Sequence, residues 1–306
     1  MKQPIPKQSA KLLEIAEFYL NSEPFKRLKR KTQRDYESHL KAIVNTVVEG
    51  KMLGVYYNKN IKVRHLTAAY EQWVQSGVRS ANYRKTVFSA CWKHSMRFDV
   101  MIHNPISLVK TQKTDRRTVM WTREYVKRFL DEAYADFDYR SIGLIVHMAY
   151  EWGQRVGDMR LLKWECLDLS ECRLDIKQSK RGAEVHLPIS KNLCQMLQAQ
   201  QEDFGFQEYV APRVKPRSGA FTPYDLEEIS PNINTLLDKA NLPRELTAMD
   251  LRRTAVTEML EAGVDIAGIR QVTGHKNMHS VVPYMVNTFS GASKALSARG
   301  NDDDEH

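Results

Sequence analysis

Between Thr247 and Tyr284 the chain sets an arginine, a histidine and a tyrosine among glycine and proline, in the stretch TAMDLRRTAVTEMLEAGVDIAGIRQVTGHKNMHSVVPY. Arg252 offers a planar fork of donors suited to the oxygens of a phosphate. His275 adds a further donor. Tyr284 supplies an oxygen that is a poor nucleophile at its ordinary pKa of about 10, unless cations offset the charge that builds on the attacked group. These residue types suit phosphoryl transfer without a metal. Taken singly they have plainer readings: Arg252 as a surface cation, His275 as a capping or core imidazole, Tyr284 as a half-buried aromatic. Their order and spacing are the reason to set those readings aside.

The elements around them are legible. Asp250 to Ala262 reads as a helix with Leu251, Ala255, Met259 and Leu260 on one face and Gly263 as its stop. Asp265 to Val272 reads as a second, short helix, after which Gly274 turns the chain and leaves His275 just past its end. A helix containing DLRR, then TGH, then a tyrosine nine residues on resembles the C-terminal signature of the tyrosine recombinase (phage integrase) family, which runs His-x-x-Arg, Gly-His and a nucleophilic Tyr. The rest of that family's set lies upstream. WGQRVGDMRLLKW supplies Arg155, with Asp158 in the acidic position, three residues on and on the same helical face, where it would orient or buffer an arginine. LDIKQSKRGAEVHLPIS alternates as a β-hairpin, with Leu174 and Ile176 before its turn and Val185, Leu187 and Ile189 after it, and Lys180 on the turn matches the family's lysine. One position departs from the pattern. Where the family usually has His, three residues before Arg252, this chain has Met249, whose thioether gives no proton and accepts weakly.

The resemblance implies a fold and a reaction. The fold is mainly α with a small β-hairpin or sheet (α+β): an N-terminal helical core-binding domain and a C-terminal catalytic domain that together form a C-shaped clamp on DNA. The reaction is site-specific recombination, in which Tyr284 attacks a DNA phosphodiester, Arg155, Arg252 and His275 hold the phosphate, and Lys180 is general acid for the 5′-hydroxyl. The resulting 3′-phosphotyrosyl link conserves the bond, so a second 5′-hydroxyl reverses the step and no cofactor or metal is implied. Double-stranded DNA, a homotetramer and an accessory DNA-bending protein are the implied partners. Tyr224 is the next candidate nucleophile if Tyr284 fails.

Composition bounds the answer independently. A chain of 306 residues with 42% hydrophobic content suits two domains with their own cores. No run of 18 apolar residues exists, and the N-terminus lacks a signal-peptide pattern, so an intracellular, DNA-associated protein with no membrane partner is expected. Cys91, Cys166, Cys172 and Cys194 show no metal-ligand spacing and are expected to be reduced and structural. Charge is strongly asymmetric. Residues 1–118 hold 23 Lys+Arg against 9 Asp+Glu, a net of +14, whereas the remainder is net −5 and ends in the acidic run Asp302 to Glu305. A basic segment of that size points to a polyanion.

In order, the chain predicts a Ser9-capped helix to Asn21, a basic run, a Thr32-capped helix to Val48 with Tyr36, Leu40, Ile43, Val44 and Val47 on one stripe, a helix from Thr67 to Ser76, and a Ser80-capped helix to Phe98. Lys26, Arg27, Lys29, Arg30, Lys31 and Arg34 then cluster at a helix start, and Arg79, Arg84, Lys85 and Lys93 face outward, as candidates for phosphate contact. The domains are expected at 1–105 (helical, basic, DNA-binding) and 119–288 (catalytic), with a linker at 106–118. A Thr122-capped helix, a buried helix from Tyr139 to Trp152, the hairpin, a helix from Lys191 to Gln201, an unplaced loop from Phe204 to Ile229 and a Ser230-capped helix to Ala240 lead back to the motif. The tail, 289–306, is expected to dock Ala292 to Ala298 on a neighbouring protomer. Two other readings stay open: a catalytically dead DNA-binding relative, motivated by Met249, and a type IB topoisomerase-like strand transferase.

Overall fold

The computed structural model describes residues 4–7, 9–115, 117–179 and 182–274, with positions 293, 296 and 297. Lys180, His275, Tyr284 and most of the expected docking tail lie outside the described residues. The chain divides into two compact units, Met1–Arg117 and Thr118–His306. Among the described residues helices dominate both, with one two-stranded and one three-stranded sheet, which is the mainly α architecture with a small sheet that the resemblance implies.

Unit 1 is built on α1 (Leu12–Leu20), α2 (Glu23–Lys26), α3 (Arg30–Val44), α4 (Val63–Gln75) and α5 (Val78–Met96). Ile15, Ile43, Leu66, Val87 and Phe88 meet in its core. Several boundaries differ from expectation. Lys11, not Ser9, stands at the start of α1, and Thr32 lies inside α3, which begins two residues earlier at Arg30. Val47 does not extend α3. Val47–Val48 (β1) pairs with Lys51–Met52 (β2) around Gly50, whose φ of 77° lies in the left-handed region that glycine tolerates, and Val47 is exposed. Apolar i, i+3, i+4 spacing thus ran past the true helix end, where the Glu49–Gly50 turn redirects the chain. α5 starts after Gly77, not at Ser80. The expected linker also shortens. Ile106 and Val109 are buried in the core of unit 1 while Leu108 stays exposed, so a Pro-containing stretch that looks like a spacer packs two of its apolar side chains inward.

Unit 2 wraps α7 (Phe137–Glu151), whose residues Ser141 to Ala149 are all buried. α6 (Arg123–Ala135) reaches α7 closely because Gly143 has no side chain: a Cβ there would stand 2.8 Å from that of Ala133. Thr122 caps α6, accepting the Tyr125 amide at 3.1 Å. After α7 come a single turn, α8 (Val156–Met159), and a sheet of β3 (Leu167–Asp168), β4 (Arg173–Lys177) and β5 (Glu184–Pro188) in the order β3-β4-β5, all antiparallel. Leu174 faces Leu187, and Ile176 faces Val185, so the alternating residues of the hairpin form its inner side. α9 (Lys191–Phe204), α10 (Leu226–Lys239), α11 (Ala248–Glu261) and α12 (Ile266–Thr273) complete the unit. The stretch left unplaced by sequence is ordered by Arg213, which donates to Thr222 and Asp225 and pairs with Glu228. α10 is capped at Asp225, five residues before the predicted cap Ser230, and runs through Pro231. Among the described residues no helix is long and apolar enough to cross a membrane.

Trp121, 1% exposed, pins the entry of unit 2 to α11. Its backbone amide donates to Thr254 Oγ1 and its indole N–H to the Thr247 carbonyl, each at 3.0 Å, while its ring meets Phe129 edge-on at 5.4 Å. Trp121→Ala empties a dry pocket and takes the indole donor away from the Thr247 carbonyl, while the backbone amide can still reach Thr254. It is expected to cost about 3–5 kcal/mol of stability, measured by denaturant unfolding.

Candidate functional site

Arg155 reaches its place by a sharp change of direction. α7 ends at Glu151, Gly153 takes a φ of 56°, and Arg155 then stands at the N-cap of α8. A Cβ on Gly153 would be 3.4 Å from that of Ala255, so the turn sits against α11. The Arg155 guanidinium donates from Nη1 to Gln178 Oε1 at 2.9 Å. Asp158 lies 3.6 Å from the same nitrogen, at ion-pair range. Its hydrogen bonds go elsewhere: the carboxylate accepts the Ser179 amide at 3.1 Å and the Ser179 hydroxyl. The expectation that Asp158 serves an arginine is therefore incomplete, because its direct grip is on the residue preceding Lys180.

Arg252 is buried, 8% exposed, on the inner face of α11. It donates from Nη1 to the Gly153 carbonyl at 2.9 Å and from Nη2 to the Thr273 carbonyl at 2.7 Å. That second acceptor is shared. Gln178 Nε2 donates to the Thr273 carbonyl at 2.7 Å and to Gln154 Oε1 at 2.6 Å, and Gln154 in turn donates to the carbonyls of Trp152 and Val272. Thus the two arginines, the base of the hairpin turn and the end of α12 are brought into one network. α12 finishes at Gly274 in the left-handed conformation, φ 65°. A Cβ there would lie 2.6 Å from the Gln178 amide nitrogen, so only glycine lets the chain pass on towards position 275.

Met249 stands on the first turn of α11 with its side chain in solvent, 84% exposed. Two tyrosines of unit 2 are poorly placed for nucleophilic attack. Tyr224 is buried in the core, and burial raises the pKa of its hydroxyl. Tyr150 donates to both oxygens of Glu258 at 3.0 Å, and burial together with that carboxylate pushes its pKa up to about 12. Cys172 and Cys194, far apart in sequence, bring their sulfurs to 2.9 Å.

In unit 1, Lys26, Arg27, Lys29, Arg30, Lys31 and Arg34 are all exposed around the α2–α3 turn, whose shape is fixed by Gln33 Nε2 donating to the Lys26 and Leu28 carbonyls at 2.8 Å. Arg79 and Lys93 are exposed as expected. Arg84 and Lys85 are not: both are half-buried, and Lys85 Nζ donates to the Val109 carbonyl. α5 is covered on more sides than a helical wheel allows, because the 105–109 stretch packs back on it.

Gln154 and Gln178, each 1% exposed, were missed as site residues. A signal existed for Gln178. It continues the inward alternation of Leu174 and Ile176, so a polar side chain was bound to fall on the buried face of the hairpin.

Residues 120–290 match the model of the phage integrase family. The integrase of Enterobacteria phage 434 is 24% identical over 165 residues, 53% of this chain and 43% of that protein, so the chain spans less than half the length of that relative. The tyrosine recombinase XerC of Bacillus pumilus (strain SAFR-032) is 23% identical over 230 residues, 72% of this chain and 73% of its own. The crystal structure of a lambda integrase tetramer bound to a Holliday junction superposes with a TM-score of 0.73 at 18% identity, covering 90% of this chain and 77% of that one, a likeness of fold.

The grip on Ser179 is directly measurable. Asp158→Asn keeps the volume and removes the charge that strengthens the bond, so the Ser179 amide is expected to open about tenfold more often in hydrogen exchange, with the helical amides of α7 unchanged.

Proposed function

The chain belongs to the phage integrase family, and from that premise we propose that it cuts and rejoins double-stranded DNA at specific sites by transesterification through a 3′-phosphotyrosyl intermediate. The observation that supports this most is the joining of Arg155 and Arg252 through Gln178 and the Thr273 carbonyl, which makes two guanidiniums part of one frame. Two such forks, set in advance, stabilise the charge that grows on the non-bridging oxygens as phosphorus becomes five-coordinate. In this reading the Tyr284 hydroxyl gives up its proton to solvent as its oxygen forms the new bond to phosphorus, the 5′-oxygen leaves, and Lys180 on the hairpin turn gives that oxygen a proton. His275, next after Gly274, adds a donor to the phosphate. Asp158 holds the turn on which Lys180 sits. No step is routed through a cofactor or metal: protein cations offset the charge on the phosphate, and the proton lost by the tyrosine is matched by the one given to the 5′-oxygen.

Unit 1 supplies affinity in this proposal. Its exposed basic cluster at the α2–α3 turn would track the phosphate backbone, and the balance of +14 over residues 1–118 makes binding strongly salt-dependent. Recombination between two sites requires several protomers on DNA. A tetramer is the assembly we assign, by likeness to the lambda integrase tetramer on a Holliday junction.

A pool of nicked, randomised duplexes tests the reaction directly, because a nick next to the cleaved bond lets the 5′ product diffuse away and traps the adduct. Wild-type protein is expected to give an SDS-resistant protein–DNA adduct, and Tyr284→Phe, which deletes one oxygen and no phosphate contact, to give none while binding the selected duplex as before. An adduct that survives the substitution sinks the assignment of the nucleophile.

Met249 motivates a second reading, a family member weakened in cleavage. Its exposed thioether replaces a donor to the phosphate. Restoring one hydrogen bond to a charged group is worth about 1.5–3 kcal/mol, so Met249→His is expected to speed single-turnover cleavage roughly tenfold or more. An unchanged rate means that another group already fills that role.

A further inference from the structure

Gln178 is an odd residue to bury in the base of a hairpin. An unpaired amide in such a place costs about 1–3 kcal/mol, and an apolar side chain would continue the Leu174–Ile176 face without that risk. The structure satisfies it through three named partners. Oε1 accepts Arg155 Nη1 at 2.9 Å, and Nε2 donates one bond to Gln154 Oε1 at 2.6 Å and the other to the Thr273 carbonyl at 2.7 Å. The orientation of the amide follows from chemistry: reversing it would face a donor with the arginine and set an acceptor against two oxygens.

The partners belong to three separate stretches of chain. Arg155 and Gln154 follow α7, Gln178 follows β4 directly, two residues before Lys180, and Thr273 ends α12 one residue before Gly274. Arg252 joins from a fourth, α11, by donating to the same Thr273 carbonyl, and its other end holds Gly153 beside Gln154. A closed ring results: Arg155 to Gln178, to Thr273, to Arg252, to Gly153, and back along the backbone to Arg155. The ring is also tight, since any side chain at Gly274 would run into the Gln178 amide.

Resting on the proposed reaction, we infer that Gln178 is a positioning residue, which makes the two guanidiniums a single preorganised receptor for a phosphate and sets the hairpin turn and the end of α12 in register with it. The amide touches no DNA. It acts by fixing the direction of the Arg155 fork and by sharing an acceptor with Arg252, so that neither guanidinium has to be reoriented when the phosphate arrives.

Gln178→Met tests this with a side chain of similar length that makes none of the three bonds. Two readouts are taken on the full chain. The first needs no DNA: inorganic phosphate is titrated while Tm is followed, and the part of the stabilisation that Arg155→Ala abolishes is assigned to the two-arginine site. Gln178→Met is expected to weaken that part about tenfold. The second uses the duplex selected by wild-type protein. Single-turnover adduct formation is expected to fall about a hundredfold, the scale of an ångström misplacement, with the Kd for that duplex within about twofold. A residue that only fills space would show the reverse: Tm without phosphate would drop, and binding and rate would fall together. Wild-type phosphate affinity in Gln178→Met overturns the inference, and so does an undiminished cleavage rate. If wild-type protein itself forms no adduct, the recombinase reading fails, and the phosphate titration still decides whether Gln178 sets the arginines.

Discussion

One backbone carbonyl, that of Thr273, receives both Arg252 Nη2 and Gln178 Nε2 at 2.7 Å. A carbonyl oxygen has two lone pairs, and here both are directed at donors from distant parts of the chain. In a buried site such a junction is strict. Hydrogen bonds are stronger where water is excluded, and a donor displaced from the oxygen has nowhere else to turn. Much of unit 2 is arranged so that this atom stays put: α12 must end where it does, Gly274 must turn left-handed, α11 must present Arg252 inward, and Gly153 must bring its own carbonyl under the other end of the guanidinium.

The junction also accounts for the shape of the sequence motifs. Glycine before the histidine and glycine two residues before the arginine look like ordinary turn punctuation. At Gly274 a Cβ would run into the Gln178 amide, whereas Gly153 is called for by its left-handed φ of 56°, where a Cβ would only touch Ala255. The acidic residue after the arginine has a comparable double use. Asp158 stands near Arg155 and holds Ser179, so a short-range helical spacing conceals a contact across the fold.

Helices of unit 2, the hairpin and the residue types of the site were readable from the sequence because their signals are local: periodicity, a capping threonine at 122, alternating strand residues, and a family's order of motifs. What escaped was set by packing. Val47 fits a helical stripe and yet lies in a strand pair, because a turn at Glu49–Gly50 takes over. Ile106 and Val109 sit in a linker-like composition and are core. Lys85 lies on the outer side of a helical wheel but reaches the Val109 carbonyl in the molecule, and Arg84 is half-buried near His39 of α3, covers that no single helix announces. Gln154 gave no signal, and Gln178, although the strand alternation puts it on the buried face, has a role that shows only once the partners of its amide are known.

Trp121 has a mechanical side. The chain leaves unit 1 at Arg117 and enters unit 2 at Thr118, and the first fully buried side chain it reaches is this indole. Its two hydrogen bonds end on Thr247 and Thr254, on either side of Arg252 along the same helix. The indole is an anchor bolt: it fastens the start of unit 2 at two points to the stretch that carries the arginine.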